Sequence, residues 1–262
     1  MAIRFLATNL WDTATLTESS EASGFPSTNT QTRHFLEHWR STGLTAEWLK
    51  VDLGADTVVR AIAIRYSNLR VGDSLSIQAQ TAANGDDWDG TPALTIDIAI
   101  TITATMVAKG LIVYNWETAP TACRYFRLLM TATAHPDGYI RAGRIYLGTF
   151  VEPDRDYDKD FEVEDIDPSV IVGSATNVKY VNELPTFKRI HLNFSSMSAA
   201  DAAKMETLRD ALGRRKAFFV ELDPAGDLQG DSFYVSCTSG WRIRHIYGGQ
   251  LYSMPLVLEE ES

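Results

Sequence analysis

The chain of 262 residues has 34 acidic and 24 basic residues, and its formal net charge is −10. This length accommodates two domains of ordinary size, and the 45% of hydrophobic residues is typical of a globular protein. An acidic chain lacks the clustered lysine and arginine that nucleic-acid binding needs, so we expect no nucleic-acid partner. No stretch of about 18 apolar residues occurs, so we also expect no membrane partner.

Most of the first 150 residues read as short strands separated by polar turns. The clearest strand is 96–102, where isoleucine occupies every second position. Similar runs occur at 48–53, 58–66, 75–81, 111–116, 125–131 and 140–147. Many short strands without an evident helix predict an antiparallel β-sandwich, or jelly roll, over residues 1–150.

The negative charge is concentrated in residues 151–168, which carry nine acids against two bases. Six carboxylates alternate there with other residues: Asp154, Asp156, Asp158, Asp160, Glu162 and Glu164. If the segment is extended, all six point to one side, where they repel each other unless they are solvated or paired with cations. We therefore predict an acidic joint over 151–168.

Residues 169–262 are predicted to form a β domain with one amphipathic helix. Strand patterns occur at 178–181, 187–194, 218–222, 233–237, 241–246 and 251–258. Ser198 is a good N-cap, Asp201 follows three residues later, and Gly213 suits the C-terminal end. These signals predict a helix over 198–212 and a mainly β fold for the whole chain.

Catalytic and metal-binding motifs are weak. No nucleophile elbow, phosphate-binding loop, zinc-protease motif or Cys-x-x-Cys occurs, so we predict a protein that is not an enzyme and has no cofactor. His34 and His38 could share a helix face, but two ligands alone are too few for a metal. Lys159 and Asp165 stand where a calcium loop beginning at Asp154 needs Gly and Glu. We expect a solvated linker or strand edge there and no metal.

The N-terminus lacks a secretory signal, and the two cysteines, Cys123 and Cys237, suit a reducing compartment without disulfides. Both cysteines lie in apolar strand-like stretches, so we expect buried thiols.

Several motifs in the first half follow an order typical of one family. They are Asn9-Leu10-Trp11-Asp12, His38-Trp39-Arg40-Ser41, Glu47-Trp48-Leu49-Lys50-Val51-Asp52-Leu53-Gly54, Asp87-Trp88, Cys123-Arg124-Tyr125-Phe126-Arg127-Leu128 and Ile140-Arg141-Ala142-Gly143-Arg144-Ile145-Tyr146-Leu147-Gly148. This half resembles the discoidin-like domain, also called coagulation factor 5/8 type C or galactose-binding-like. That family is a jelly roll whose apical loops carry the ligand contacts. The resemblance implies binding of sugars, lipid headgroups or proteins without catalysis.

The same resemblance implies roles for individual residues. Trp48 would be a core residue, and Asp52 would anchor a turn by accepting hydrogen bonds. The candidate ligand contacts are Trp39, Arg40, Trp88, His135 and Tyr139. A scaffold without ligand binding, with Trp39 packed in the core, is the alternative.

Residues 178–260 are similar in strand order and residue type to the C-terminal parts of tail-tip and distal-tail proteins of tailed bacteriophages. This similarity implies a homo-oligomeric ring of threefold or sixfold symmetry that binds other phage tail proteins. Such a protein would be assembled in the host bacterial cytoplasm and located in the virion tail. Asp154, Asp156, Asp158, Arg214 and Arg215 are the candidate assembly contacts.

Three functions follow from these resemblances. The leading hypothesis is a structural protein of a phage tail, with a jelly roll that braces neighbouring subunits or contacts host saccharide. The alternatives are a carbohydrate-binding module or adhesin, and an enzyme with an attached binding module.

Overall fold

The computed structural model describes residues 3–88, 90–159, 161–173, 179–214, 216–246 and 251–261. The fold is mainly β with antiparallel pairing, as predicted. The strands within these ranges are β1 (Arg4–Leu6), β2 (Thr15–Glu18), β3 (Trp39–Arg40), β4 (Glu47–Thr57), β5 (Ala61–Arg65), β6 (Ser74–Gln80), β7 (Ile96–Thr101), β8 (Leu111–Asn115), β9 (Cys123–Thr131), β10 (Arg141–Ala142), β11 (Ile145–Gly148), β12 (Glu162–Ile166), β13 (Val170–Gly173), β14 (Lys179–Asn182), β15 (Phe187–Met197), β16 (Phe218–Glu221), β17 (Ser232–Cys237), β18 (Arg244–Ile246) and β19 (Leu251–Glu260). The helices are α1 (Ala104–Lys109) and α2 (Ala199–Leu212), with 3-10 turns at Leu10–Thr13 and Ser27–Gln31.

The chain divides into two compact units. The sandwich unit contains Thr8–Phe150 and Asp227–Gly230, and the helix unit contains Met1–Ala7, Val151–Gly226 and Asp231–Ser262. This division differs from the predicted one at the N-terminus, because β1 pairs with β16 of the helix unit. The stretch 151–168 likewise belongs to the helix unit and is not a separate joint.

The sandwich unit is an antiparallel β-sandwich. One sheet has the order β2-β4-β9-β6-β7 and another has the order β11-β5-β8, and side chains from both form one hydrophobic core cluster. Along β4, Leu49 and Val51 are buried, whereas Trp48 and Lys50 are partly exposed on the outer face. The expectation that Trp48 lies in the core was therefore wrong, because the alternation of β4 places its neighbours inside.

Two local features of the sandwich unit differ from the predicted elements. The predicted strand at 140–147 is divided into β10 and β11, with Gly143 between them. A Cβ atom at Gly143 would clash with the Phe35 carbonyl oxygen and lie 2.8 Å from that of Arg65, so the backbones can approach closely only at glycine. The short helix α1 was not predicted, because one and a half turns carry too little periodicity.

The helix unit contains a sheet of order β1-β16-β17-β19-β15-β12, to which β18 adds through β19, and the separate hairpin β13-β14. The predicted helix is confirmed as α2, and the Ser198 hydroxyl accepts a hydrogen bond from the Asp201 amide at 3.0 Å. Met205, Leu208 and Leu212 are buried in the core cluster of this unit. Both cysteines are buried free thiols, and burial raises the pKa of Cys123 to about 11.

Among its described residues, the acidic stretch forms a strand at Glu162–Ile166 and not one extended row of carboxylates. Asp154 pairs with the Lys204 ammonium at 2.7 Å, and Asp156 accepts the Ile3 amide at 3.0 Å. The Asn193 amide group donates to Asp158 at 2.6 Å. The three carboxylates therefore each have a separate partner within the helix unit. Asp160 lies outside the described residues.

Candidate functional site: an arginine pair at the loop end

Two arginines lie opposite each other on the short strands β3 and β10. The register pairs Arg40 with Arg141 and Trp39 with Ala142. Trp39 and Ala142 are buried, whereas both arginines are only partly buried, as expected when side chains alternate along a strand. Directly opposed side chains have Cβ atoms about 4.5–5.5 Å apart, and like charges at such positions are destabilising. The strands therefore hold two cations on one face against their mutual repulsion.

Each guanidinium group lies over an aromatic ring. The Arg40 Cζ is 3.6 Å from the centroid of the Tyr139 ring and 4.9 Å from that of Phe25, and the Arg141 Cζ is 3.9 Å from that of Tyr66. Such cation–π contacts contribute about 0.5–1 kcal/mol at exposed sites. We call Phe25, His38, Arg40, Tyr66, Tyr139 and Arg141 the loop-end site, because most of them lie in loops between strands.

Neither arginine of the loop-end site has an anionic partner among the described residues. No carboxylate there forms an ion pair with Arg40 or Arg141, and the Nε atom of each is buried without a hydrogen-bond partner. Arginine keeps its charge in proteins, so both groups remain cationic donors. The site therefore contains two cationic side chains whose N–H groups donate no hydrogen bond to any described residue.

His38 lies between two rings of the site. Its imidazole centroid is 4.9 Å from that of Phe25 and 5.5 Å from that of Tyr66. Burial lowers the pKa of His38, and the charges of Arg141 and Arg40 act in the same direction. The ring is therefore neutral near pH 7, and its Nδ1, 2.7 Å from the Leu36 carbonyl oxygen, carries the proton that is donated there. This tautomer leaves Nε2 as a hydrogen-bond acceptor.

Asn68 supports the loops that carry the site. Its amide nitrogen donates to the Tyr139 carbonyl oxygen and to the Asp137 carboxylate, each at 3.0 Å, and its oxygen accepts the Arg141 amide at 2.8 Å. Nearby Tyr66 has a φ of 63°, which is uncommon for a bulky side chain and occurs mainly where the surroundings enforce it. Strained backbone of this kind clusters at binding sites.

The structure separates the five predicted ligand contacts. Arg40 and Tyr139 lie together in the loop-end site, whereas Trp39 is fully buried and donates its indole N–H to the Ser20 carbonyl oxygen at 2.9 Å. His135 is buried, with Nε2 2.7 Å from the Asn68 carbonyl oxygen, so it supports the loop. Trp88 lies on a different surface.

That surface is a cleft on the outer face of the five-stranded sheet, with a volume of about 450 Å³. We call it the sheet-face cleft, and its lining residues are Trp48, Lys50, Asp86, Asp87, Trp88 and Arg127. Asp86 accepts from the Lys50 ammonium and from the Trp88 indole, each at 2.5 Å. The Arg127 Nε donates to the Gln78 amide oxygen at 2.8 Å, and its guanidinium lies 4.5 Å from the Trp88 ring centroid. Both cations of this cleft, Lys50 and Arg127, therefore already have hydrogen-bond partners within the protein.

Asp52 accepts hydrogen bonds as expected, but it lies within β4, where the pairing with β9 shifts register between Asp52 and Thr57, and not at a turn. It accepts the Gly54 amide at 2.7 Å, and the Arg124 guanidinium binds both of its carboxylate oxygens at 2.7 and 2.8 Å. The hydrogen bond from Arg124 is the main cause of the lowered pKa of Asp52.

Sequence reasoning missed four members of the loop-end site: Phe25, His38, Tyr66 and Arg141. Arg141 was visible in the closing motif of the sandwich, but only the pairing of β3 with β10 places it beside Arg40. Tyr66 carried no signal, because a positive φ at tyrosine cannot be read from residue type.

The candidate assembly contacts that the structure describes have partners within the chain. The Arg214 guanidinium donates to the Thr238 carbonyl oxygen at 2.7 Å, and Arg215 lies outside the described residues. His34 and His38 lie in a turn and not on a helix, so their spacing does not align them. The part of the chain that the structure describes contains no group of three metal-ligating side chains and no helix long and apolar enough to cross a membrane.

Comparisons with known proteins give structural matches only. No family model and no curated protein matches the sequence. Chitosan-binding module 1 of a chitosanase/glucanase from Paenibacillus sp. IK-5 matches with a TM-score of 0.42 and 22% identity, over 54% of this chain and 99% of the module. A fucose-binding module from Streptococcus pneumoniae matches with a TM-score of 0.42 and 11% identity, over 55% and 99%. The lectin domain of lectinolysin, complexed with Lewis B antigen, matches with a TM-score of 0.42 and 13% identity, over 53% and 95%.

Proposed function

We propose that the sandwich unit is a saccharide-binding module without catalytic activity, and that the loop-end site is its binding site. The observation that carries this proposal is the pair of guanidinium groups of Arg40 and Arg141, which are stacked on aromatic rings and have no ion-pair partner among the described residues. Small-molecule sites combine apolar or aromatic surface with a few polar groups that fix orientation. The loop-end site has both ingredients.

Each residue type has a role in this proposal. The two arginines donate hydrogen bonds to sugar oxygens, and the His38 Nε2 accepts from a hydroxyl group. The partly exposed rings of Phe25 and Tyr139 offer apolar surface to the C–H face of a pyranose. Asn68 contributes indirectly, because it positions the Arg141 backbone and the Tyr139 carbonyl.

A glycan array followed by titration calorimetry tests this function. We expect at least one saccharide to bind, and Tyr139→Ala to weaken it by about tenfold, or about 1.4 kcal/mol. Trp88→Ala is the matched control, since it removes an aromatic ring from the sheet-face cleft instead. If no saccharide binds, or if Trp88→Ala alone removes binding, the proposal fails.

A second candidate function is assembly with further copies of this chain, as in the ring predicted from the phage-tail resemblance. Exposed apolar side chains in the helix unit favour it: Phe161, Val163, Val170, Ile171, Val181 and Leu184. Ile171 and Val181 are directly opposed on the hairpin β13-β14 and are 64% and 53% exposed. Adjacent exposed apolar residues are typical of protein interfaces. The phage-tail assignment itself stays a prediction.

Native mass spectrometry and analytical ultracentrifugation test the assembly function. We expect a concentration-dependent oligomer for the unmodified chain, and dissociation when Ile171→Asp and Val181→Asp are combined. Leu36→Asp, at an exposed apolar residue of the sandwich unit, is the control and should leave the oligomer intact. A strictly monomeric unmodified chain at high concentration would contradict this candidate.

A further inference from the structure

The charge balance of the loop-end site indicates what kind of ligand completes it. Arg40 and Arg141 add two positive charges at directly opposed positions of β3 and β10. Their neighbour His38 is neutral near pH 7, because burial lowers its pKa. The strand pairing therefore places two positive charges side by side, and their mutual repulsion opposes the stabilisation that each gains from its ring.

The Asp137 carboxylate interacts electrostatically with both arginines, but its hydrogen bond comes from Asn68. The Asn68 amide donates to its carboxylate at 3.0 Å, and this hydrogen bond is the main cause of the lowered pKa of Asp137. Arg141 and Arg40 contribute only through weaker charge interactions, and the His135 ring lies 3.8 Å from the same carboxylate. Asp137 thus offsets part of the charge without pairing with either guanidinium.

Stacking on Tyr139 and Tyr66 orders the two guanidinium groups before any ligand arrives. An arginine presents its N–H groups as a planar fork that fits a carboxylate or a sulfate with two parallel hydrogen bonds. A preordered fork loses less side-chain entropy on binding than a free one. A neutral sugar hydroxyl cannot neutralise the charge that the strand pairing brings together.

We propose that the ligand of the loop-end site is an acidic saccharide, whose carboxylate or sulfate group lies between Arg40 and Arg141. This proposal rests on the saccharide-binding function and specifies its ligand class. The anionic group binds the two guanidinium forks, and the rest of the sugar contacts the rings and His38.

Matched acidic and neutral saccharides test the proposal by titration calorimetry on the full chain. The probes are tetragalacturonate and tetramannuronate, each beside its methyl ester, and 3′-sialyllactose beside lactose. We expect at least one acid to bind about tenfold or more tightly than its neutral counterpart. Its affinity should also fall as salt rises, because salt screens charge interactions between exposed groups.

Variants identify the groups responsible. Arg40→Gln and Arg141→Gln should each weaken binding of the acid by about 10- to 100-fold, as expected for hydrogen bonds to a charged group. Binding of the neutral counterpart should change much less. Arg40→Lys keeps the charge but not the fork and should give an intermediate loss. Arg127→Gln, which removes a stacked arginine from the sheet-face cleft, is the control and should bind normally.

The outcomes separate this proposal from the function on which it rests. If a neutral saccharide binds as tightly as its acid, the ligand class is wrong while the saccharide-binding function stands. If no saccharide of either kind binds, both fail. If Arg127→Gln weakens binding as much as Arg40→Gln does, with circular dichroism unchanged for both variants, the anionic group does not bind at the loop-end site.

Discussion

The loop-end site and the sheet-face cleft contain similar residue types but treat their cations differently. In the sheet-face cleft, Asp86 binds the Lys50 ammonium, and the Gln78 amide oxygen accepts from Arg127. At the loop-end site, Arg40 and Arg141 are stacked on tyrosines and have no ion-pair partner among the described residues. Both regions would look alike in a search for aromatic and basic residues.

Hydrogen-bond partners, and not residue types, therefore distinguish a candidate site from a stabilised surface. A cation whose donors are used by the protein must break those bonds before it can bind a ligand. A cation held only by a ring can bind a ligand and keep its stacking contact. Substitutions in one region at a time test this difference.

Reversing one charge of the arginine pair should have the largest effect. Arg141→Glu places an opposite charge against Arg40, so we expect binding of an acidic saccharide to fall by at least about 30-fold. The free energy of unfolding should change by less than about 1 kcal/mol, since the lost contact with Tyr66 is offset by relief of repulsion. Calorimetry and urea unfolding measure the two effects. A variant that unfolds far more easily would show that the pair is structural.

Removing the support of the loop-end site should have the next largest effect. Asn68→Ala leaves the Arg141 amide and the Tyr139 carbonyl oxygen without their partner, which should lower the free energy of unfolding by about 1–3 kcal/mol. Saccharide affinity should fall about tenfold, or about 1.4 kcal/mol, because the arginine pair is less well held. Unchanged affinity in a destabilised variant would show that the loops do not need Asn68 for their geometry.

The ion pair between Asp52 and Arg124 should affect stability in a pH-dependent way. The pKa of Asp52 lies below its ordinary value of 3.8, mainly because Arg124 donates to it. The contribution of this ion pair to the free energy of unfolding is therefore complete at pH values above the ordinary pKa of aspartate. It is lost as the pH falls through the lowered pKa of Asp52. Asp52→Asn should unfold more easily than the unmodified chain at pH 7, and this difference should shrink below pH 4. Urea unfolding at several pH values measures it, and a difference independent of pH would contradict the assignment.

Opening the sheet-face cleft should have the smallest effect on binding. Trp88→Ala removes the ring that Arg127 covers and should change saccharide affinity by less than about twofold, as expected for a separate site. Calorimetry with the ligand identified for the unmodified chain measures this. A large loss of affinity would show that the saccharide binds in the sheet-face cleft and not at the loop-end site.

Much of the fold was predictable because its signals are local. The alternation of isoleucine predicts β7, and the Ser198 cap with its following apolar residues predicts α2. The family resemblance, in contrast, placed Trp48 in the core, whereas the alternation of β4 buries its neighbours Leu49 and Val51. The candidate site was predicted only in part: Arg40 and Tyr139 were named, but Trp39 and His135 are buried and Trp88 lies elsewhere.

Local patterns in the sequence were enough to predict the mainly β class, the position of α2 and the concentration of acidic residues after the first 150. These features depend on periodicity and on residues close together in the chain. The pairing of β1 with the sheet of the helix unit and the position of Arg141 beside Arg40 depend instead on the tertiary structure. Strand pairing joins residues that are distant in sequence, and no local pattern specifies which strands meet. The charge that defines the loop-end site therefore arises only when β3 and β10 come together.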